Sequence, residues 1–315
     1  LPAEWPNFRN GSDHLGITNA PTPYTSEDSE LLWAAKYGTG WAAAPGSPIL
    51  VDGGLITYTG STIKRLDVNT GKVLAEGTMA GTSSFSINPA TYADGMIFVG
   101  LSGGKIQAFN AKTLESLWIY TDPLGGQPNT PTYHDGYIYV GFWNGESKPG
   151  NFVAISVTDE DPMKTDEAKL ASWSYACVGG FYWAGAYVTD NLCIVGTDDG
   201  SGEGDYINTS ALLVFDRLTG KLLDSHYGCK GDIRSNVSRI LTACSSRPRA
   251  ATSTMPPSTG KPARSRTSSL WRSRTPRATP VRKSPVPSCP PARRPSTTGA
   301  STSAFPAARA SSPRT

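Results

Sequence analysis

A hairpin signature that recurs four times constrains this chain more than any other feature. It reads Ser47-Pro48-Ile49-Leu50-Val51-Asp52-Gly53-Gly54-Leu55-Ile56-Thr57-Tyr58, and again from Asn88 through Asp94-Gly95 to Gly100. The third copy runs from Thr130 through Asp135-Gly136 to Gly141, and the fourth from Ala186 through Asp190-Asn191 to Gly196. In each copy a short apolar run meets Asp-Gly or Asp-Asn, and a β-branched and aromatic run follows. Asp-Gly between two such runs is a strong hairpin signal, because both turn residues need positive φ. Asp52, Asp94, Asp135 and Asp190 are spaced by 42, 41 and 55 residues.

A second pair of strands follows each hairpin. Leu66–Leu74, Ala108–Trp118 and Val214–Leu223 each read as strand, polar turn and strand. In the third copy Val153–Val157 leads into a longer acidic turn, Thr158–Lys169, before Leu170–Tyr175, which accounts for the longest step. Four short antiparallel strands in about 42 residues is the period of a β-propeller blade. The fold expected is therefore an all-β propeller: four blades, the start of a fifth at Gly231–Val237, and a closing outer strand at Glu30–Tyr37. An incomplete ring leaves apolar flanks at both ends, so low stability or aggregation is expected.

Composition divides the chain near residue 240. Leu1–Ile240 holds 15 basic and 26 acidic residues, seven of the eight Trp and all 13 Tyr, whereas Leu241–Thr315 holds 14 basic residues, no acidic ones and 13 Pro. The front part carries enough apolar and aromatic mass for a core. The tail does not, and disorder is expected of it. Its Ser/Thr/Pro/Arg/Ala text is that of a GC-rich gene read out of frame; a basic tail for nucleic acid or an anionic surface is the rival reading. It lacks aromatic interleaving, and no nucleic-acid partner is expected. The division is thus a lead-in at 1–29, blades at 30–240 and the tail at 241–315. No run of about 18 apolar residues occurs, and no signal peptide is visible in a chain that starts at Leu1.

The Asp-x-x-Thr-Gly-Lys turns at Asp67–Lys72 and Asp216–Lys221, with Trp118 closing the intervening unit, resemble the tryptophan-docking motif of quinoprotein-type propellers. That family includes pyrroloquinoline-quinone dehydrogenases and a non-enzymatic outer-membrane assembly lipoprotein built on the same blades. The resemblance covers about 30–240. It implies that Trp33, Trp118 and Trp173 dock one blade on the next, Trp33 serving the closing blade. Ala75 and Asp224 stand at the docking position in the first and fourth units. Trp5-Pro6-Asn7-Phe8-Arg9-Asn10 resembles the lead-in of exported bacterial members, which implies an extracellular or cell-surface location.

Enzymatic members of that family need calcium held by oxygen ligands, an Asp base and usually a vicinal cysteine pair. No Cys-Cys occurs among Cys177, Cys193, Cys229, Cys244 and Cys289, none has metal-ligand spacing, and the three His stand apart. No GxSxG, Walker or strand-to-helix GxGxxG segment appears. No cofactor is expected; quinone and calcium belong to the alternative, a fragment of an alcohol or sugar dehydrogenase. Cys193 reads as a small buried hydrophobe, and a Cys177–Cys229 disulfide is disfavoured, because equivalent positions of neighbouring units need not meet. His134 is expected to be a solvated turn residue, and Asp198–Asp205 a solvated loop rather than a calcium loop.

Gly-rich connections precede the hairpins and carry Trp41, Phe85, Gln127, Tyr182, Trp183 and Arg234. In a propeller these connections gather on one face around the channel mouth. Trp41, Gln127, Tyr182, Trp183 and Arg234 would there stack a sugar or grip a peptide; the alternative for Trp41, Phe85 and Trp183 is packing between blades. The function expected is a non-catalytic module binding protein or glycan, monomeric where the ring is complete.

Overall fold

The computed structural model describes residues 4–21, 23–36, 46–82, 88–183, 185–202 and 208–238. All belong to one compact unit, Leu1–Ala251. Tyr37, Trp41, Phe85 and the tail Leu241–Thr315 lie outside the described residues.

Each repeat folds as a four-stranded antiparallel sheet. The first blade is β1 (Ile49–Val51), β2 (Gly54–Thr59), β3 (Thr62–Asp67) and β4 (Val73–Thr78), in that order across the sheet. The second is β5 (Thr91–Ala93), β6 (Met96–Leu101), β7 (Lys105–Asn110) and β8 (Ser116–Thr121). A short β9 (Gln127–Pro128) precedes the third blade, whose strands are β10 (Thr132–His134), β11 (Tyr137–Trp143), β12 (Pro149–Ser156) and β14 (Trp173–Val178). Between the last two stands β13 (Glu167–Lys169). The fourth blade is β15 (Tyr187–Val188), β16 (Leu192–Gly196), β17 (Thr209–Asp216) and β18 (Leu222–Lys230).

Three hairpins turn as their sequence requires: Asp52-Gly53, Asp94-Gly95 and Asp135-Gly136 all have positive φ at both positions. The fourth differs. Asp190-Asn191 has no positive φ; Thr189 closes that turn instead, its N–H donating to the Leu192 carbonyl at 2.8 Å and its Oγ1 accepting from the Leu192 N–H at 3.0 Å.

The inner strands β1, β5, β10 and β15 pack side by side in sequence order, and one buried cluster fills each junction between neighbouring blades. Thr91 Oγ1 donates to the Pro131 carbonyl at 2.6 Å, and Thr132 Oγ1 to that of Ala186 at 2.9 Å, so each inner strand holds the connection into the next blade. The hairpin aspartates are gripped across the junctions as well. Tyr133 Oη donates to Asp94 at 2.7 Å, and Arg217 Nη2 to Asp135 at 3.0 Å. His134 lies 3.0 Å from Asp190 with its side chain 21 % exposed. It is a junction residue on β10 rather than a solvated turn residue.

At the rim, tryptophan indoles donate to backbone of the following blade: Trp33 to Val68 at 2.9 Å, Trp118 to Val157 at 3.3 Å and Trp173 to Arg217 at 2.9 Å. A Cβ on Gly71 would stand 2.6 Å from Trp33, and one on Gly220 2.5 Å from Trp173, so glycine is required at both turns. Trp33 does this from an irregular segment. The outer strand expected at Glu30–Tyr37 is absent over 30–36, where no strand among the described residues is laid beside it to complete a ladder. The acidic insertion is more than a long turn. Its β13 runs parallel to β8, Glu167 opposite Trp118, and ties the third repeat back to the second blade.

The lead-in closes the inner side. Trp5 exchanges two backbone hydrogen bonds with Leu50 on β1, and Pro6 accepts from the Tyr92 N–H on β5. Further on, His14 Nδ1 lies 3.1 Å from the Val237 carbonyl, and Ser238 Oγ donates to the His14 carbonyl. Among the described residues no helix is long and apolar enough to cross a membrane, and Cys193 and Cys229 are free thiols, Cys193 buried.

Candidate functional site

Glycine geometry delivers the site's aromatic residues. Gly179 and Gly180 have φ of 87° and 64° and pass so close to Gly200 and to the Phe142 carbonyl that a Cβ would stand 2.7 and 2.5 Å from them. Phe181 N–H then donates to Phe142, and Tyr182 lands on Trp143. Trp143 and Tyr182 stack with ring centres 4.5 Å apart, and Tyr182 and Trp183 at 4.4 Å. Trp183 holds φ at 59°, a strained value for a bulky residue that clusters at functional positions. Gln127 pairs with Trp143 in the β9–β11 register, at the edge of the same stack.

Arg234 completes the cluster. Its guanidinium carbon lies 4.9 Å from the Tyr182 ring centre and 6.0 Å from that of Trp183. Its Nη2 stands 2.8 Å from carboxylate oxygens of Glu146, Asp198 and Asp232 alike. Burial pushes the Asp198 carboxyl up to about 7, against the opposing pull of Arg234, while Asp232 and Glu146 add to the rise. For Arg234, burial works against the charge, but the three carboxylates outweigh it and hold the guanidinium protonated more firmly than usual.

Phe8, Asn88, Thr130, Trp183, Arg234 and Asn236 line a cavity of about 190 Å³ beside this cluster. They come from the lead-in, from the connections into the second, third and fourth blades, and from the start of the fifth unit. Asn88 Nδ2 donates to the Pro128 carbonyl and Thr130 Oγ1 to Asn88 Oδ1, which fixes that wall. Trp183 Nε1 and Asn236 Nδ2 are buried donors with no hydrogen-bond partner among the described residues. A larger concavity of about 430 Å³ lies on the rim of the first blade, but its only ionisable groups are Lys36 and Lys64.

Of the residues singled out from the sequence, Gln127, Tyr182, Trp183 and Arg234 come together here, and Trp41 lies outside the described residues. Trp143, Glu146, Asp198 and Asp232 were not foreseen. Asp198 sat inside an acidic Gly-rich stretch expected to be solvated. It is 2 % exposed instead, its N–H bonded to the Gly180 carbonyl and its carboxylate to Arg234. Strand periodicity carries no trace of that ion pair.

The three carboxylates lie within 4.8 Å of one another, a spacing that suits a divalent cation. The position among them is filled by Arg234 Nη2. A quinone bearing carboxylates would also meet three carboxylates against one guanidinium. The residues here do not fit a calcium–quinone pair.

A family model described as outer membrane protein assembly factor BamB matches residues 23–160. Among solved structures, the quinohemoprotein alcohol dehydrogenase ADHIIG of Pseudomonas putida HK5 superposes with a TM-score of 0.56 at 17 % identity, over 74 % of this chain and 41 % of that one. The fold of this chain is that of a quinoprotein-like repeat propeller. The quinohemoprotein alcohol dehydrogenase of Comamonas testosteroni gives 0.54 and 15 %, over 73 % and 42 % of the two chains. This propeller thus spans about two fifths of the solved structures it matches, and likeness at such identity establishes its fold alone. No curated protein sequence matches it.

Proposed function

We propose that this chain is a non-catalytic binding module of an exported or cell-surface bacterial protein, taking a protein or glycan ligand at the channel end of its blades. The observation that carries the reading is Arg234. The protein's own cation fills the one carboxylate cluster suited to a metal among the described residues, while an aromatic and amide-lined cavity stays open beside it. The family described as an assembly factor favours a protein-binding role. A fragment of a quinone-dependent dehydrogenase is the second reading, and it rests on the structural neighbours. The test is alcohol oxidation with added pyrroloquinoline quinone, Ca²⁺ and an artificial electron acceptor, run beside tryptophan-fluorescence titrations with peptides and glycans. Binding without turnover is expected; turnover that depends on the quinone overturns the proposal.

A further inference from the structure

We infer that the cavity bounded by Phe8, Asn88, Thr130, Trp183, Arg234 and Asn236 takes a single uncharged sugar ring. The inference rests on the binding-module reading and gives that module a ligand class.

Size sets the first limit. At about 190 Å³ the space is smaller than the roughly 300 Å³ at which pockets for drug-sized ligands begin, so it admits one ring rather than an extended segment. Charge sets the second. Arg234 is already matched by Glu146, Asp198 and Asp232, so the surroundings carry surplus negative charge and oppose an anion. A cation would compete with Arg234 for the position it fills. An uncharged ligand meets neither obstacle.

The lining supplies the chemistry. Phe8 and Trp183 offer apolar ring surface to the C–H face of a pyranose, and Asn88, Thr130 and Asn236 offer amides and a hydroxyl to its edge. Trp183 Nε1 and Asn236 Nδ2 are the decisive pair. Each is a buried donor without a partner among the described residues, and leaving such a group unpaired costs about 1–3 kcal/mol. A sugar hydroxyl accepts from one and donates onward. The strained backbone of Trp183 fits the same picture, since strain of that kind persists where the surroundings hold it for a purpose.

The experiment is a titration of the full chain with D-glucose, D-galactose, D-mannose and D-xylose, and with D-glucuronate and D-glucosamine as charged counterparts. It is read by tryptophan fluorescence and by saturation-transfer NMR on the unmodified protein. At least one neutral monosaccharide should saturate, with its charged counterparts about tenfold weaker. Trp183→Phe keeps the ring but removes the donor, and Asn236→Ala removes the amide; each should weaken binding about five- to tenfold with the thermal transition retained. Charged sugars binding as tightly as neutral ones, or both variants binding as the parent does, would overturn the inference. Saturation by peptides or long glycans but by no monosaccharide would also overturn it, while leaving the binding module intact. Absence of every class of ligand from the folded protein would remove the module too.

Discussion

The rim of these blades and the cluster around Arg234 are built from the same residue types to opposite effect. At the rim every docking indole finds a carbonyl, and beneath Trp33 and Trp173 the turn is shaved to glycine so that the ring can lie flat. Around Arg234 the Trp143 and Trp183 indoles have no partner among the described residues, and the Asp198 and Asp232 carboxylates are buried against one arginine. Packing explains the rim completely. It does not explain why buried donors remain unpaired beside Arg234, and such a departure from packing is the mark of a functional position.

One junction shows how strictly the rim follows packing. In the first blade Ala75 stands where the motif has Trp, and the turn it faces carries Leu114 where the others carry glycine. Leu114 adopts φ of 58° and is 2 % exposed, in the same cluster that Ala75 packs against. A large ring over a glycine has become a small side chain over a leucine, and the volume is conserved.

The sharpest way to break the contrast is at Trp118, which is fully buried and packs on Phe98 at 5.6 Å. Trp118→Ala should cost about 3–5 kcal/mol in a urea titration; a loss below about 1 kcal/mol would mean that the rim does not carry the stability. Next in size is Arg234→Met, expected to cost about 3 kcal/mol because it strands buried carboxylates. That loss should be larger at pH 8 than at pH 5. The Asp198 carboxyl is raised from 3.8 to about 7, so its neutral form is the one the fold favours. Its contribution is full below its ordinary value and is lost as pH climbs through the raised one. The urea midpoint of the parent should therefore fall across that window, and Asp198→Asn should flatten the fall. Equal losses for Arg234→Met at both pH values would sink this account.

Leu114→Gly should cost about 2–3 kcal/mol, and adding Ala75→Trp should restore at least half of it. No recovery in the double variant would show that the exchange is not one of volume. The smallest effect belongs to His134→Ala, which removes a pairing with an aspartate whose side chain is 90 % exposed. It should change stability by less than about 1 kcal/mol, and a midpoint shift beyond that would give this junction a weight that exposure denies it.

The hairpins were legible because Asp-Gly turns and alternating runs are local signals, read within ten residues of one another. The fourth turn departed from them: Asp190-Asn191 lacks the glycine and its positive φ, and Thr189 closes the turn instead. The closing strand failed over 30–36 on a non-local ground: a strand needs a neighbour, and nothing in its own residues says whether one is present. Tyr182, Trp183 and Arg234 were legible as types at blade connections. Glu146, Asp198 and Asp232 were not, because an acidic loop reads alike whether water or a guanidinium receives it.

The sequence by itself determined the blade, since period, turn chemistry and alternation all act between residues close in the chain. Only the tertiary structure decided what the blades enclose. Glu146, Asp198 and Arg234 are separated by dozens of residues, and Phe8 reaches their cavity from the far end of the described chain. Winding successive sheets side by side brings those distant connections to one end, and only there do their charges and unpaired donors acquire a meaning.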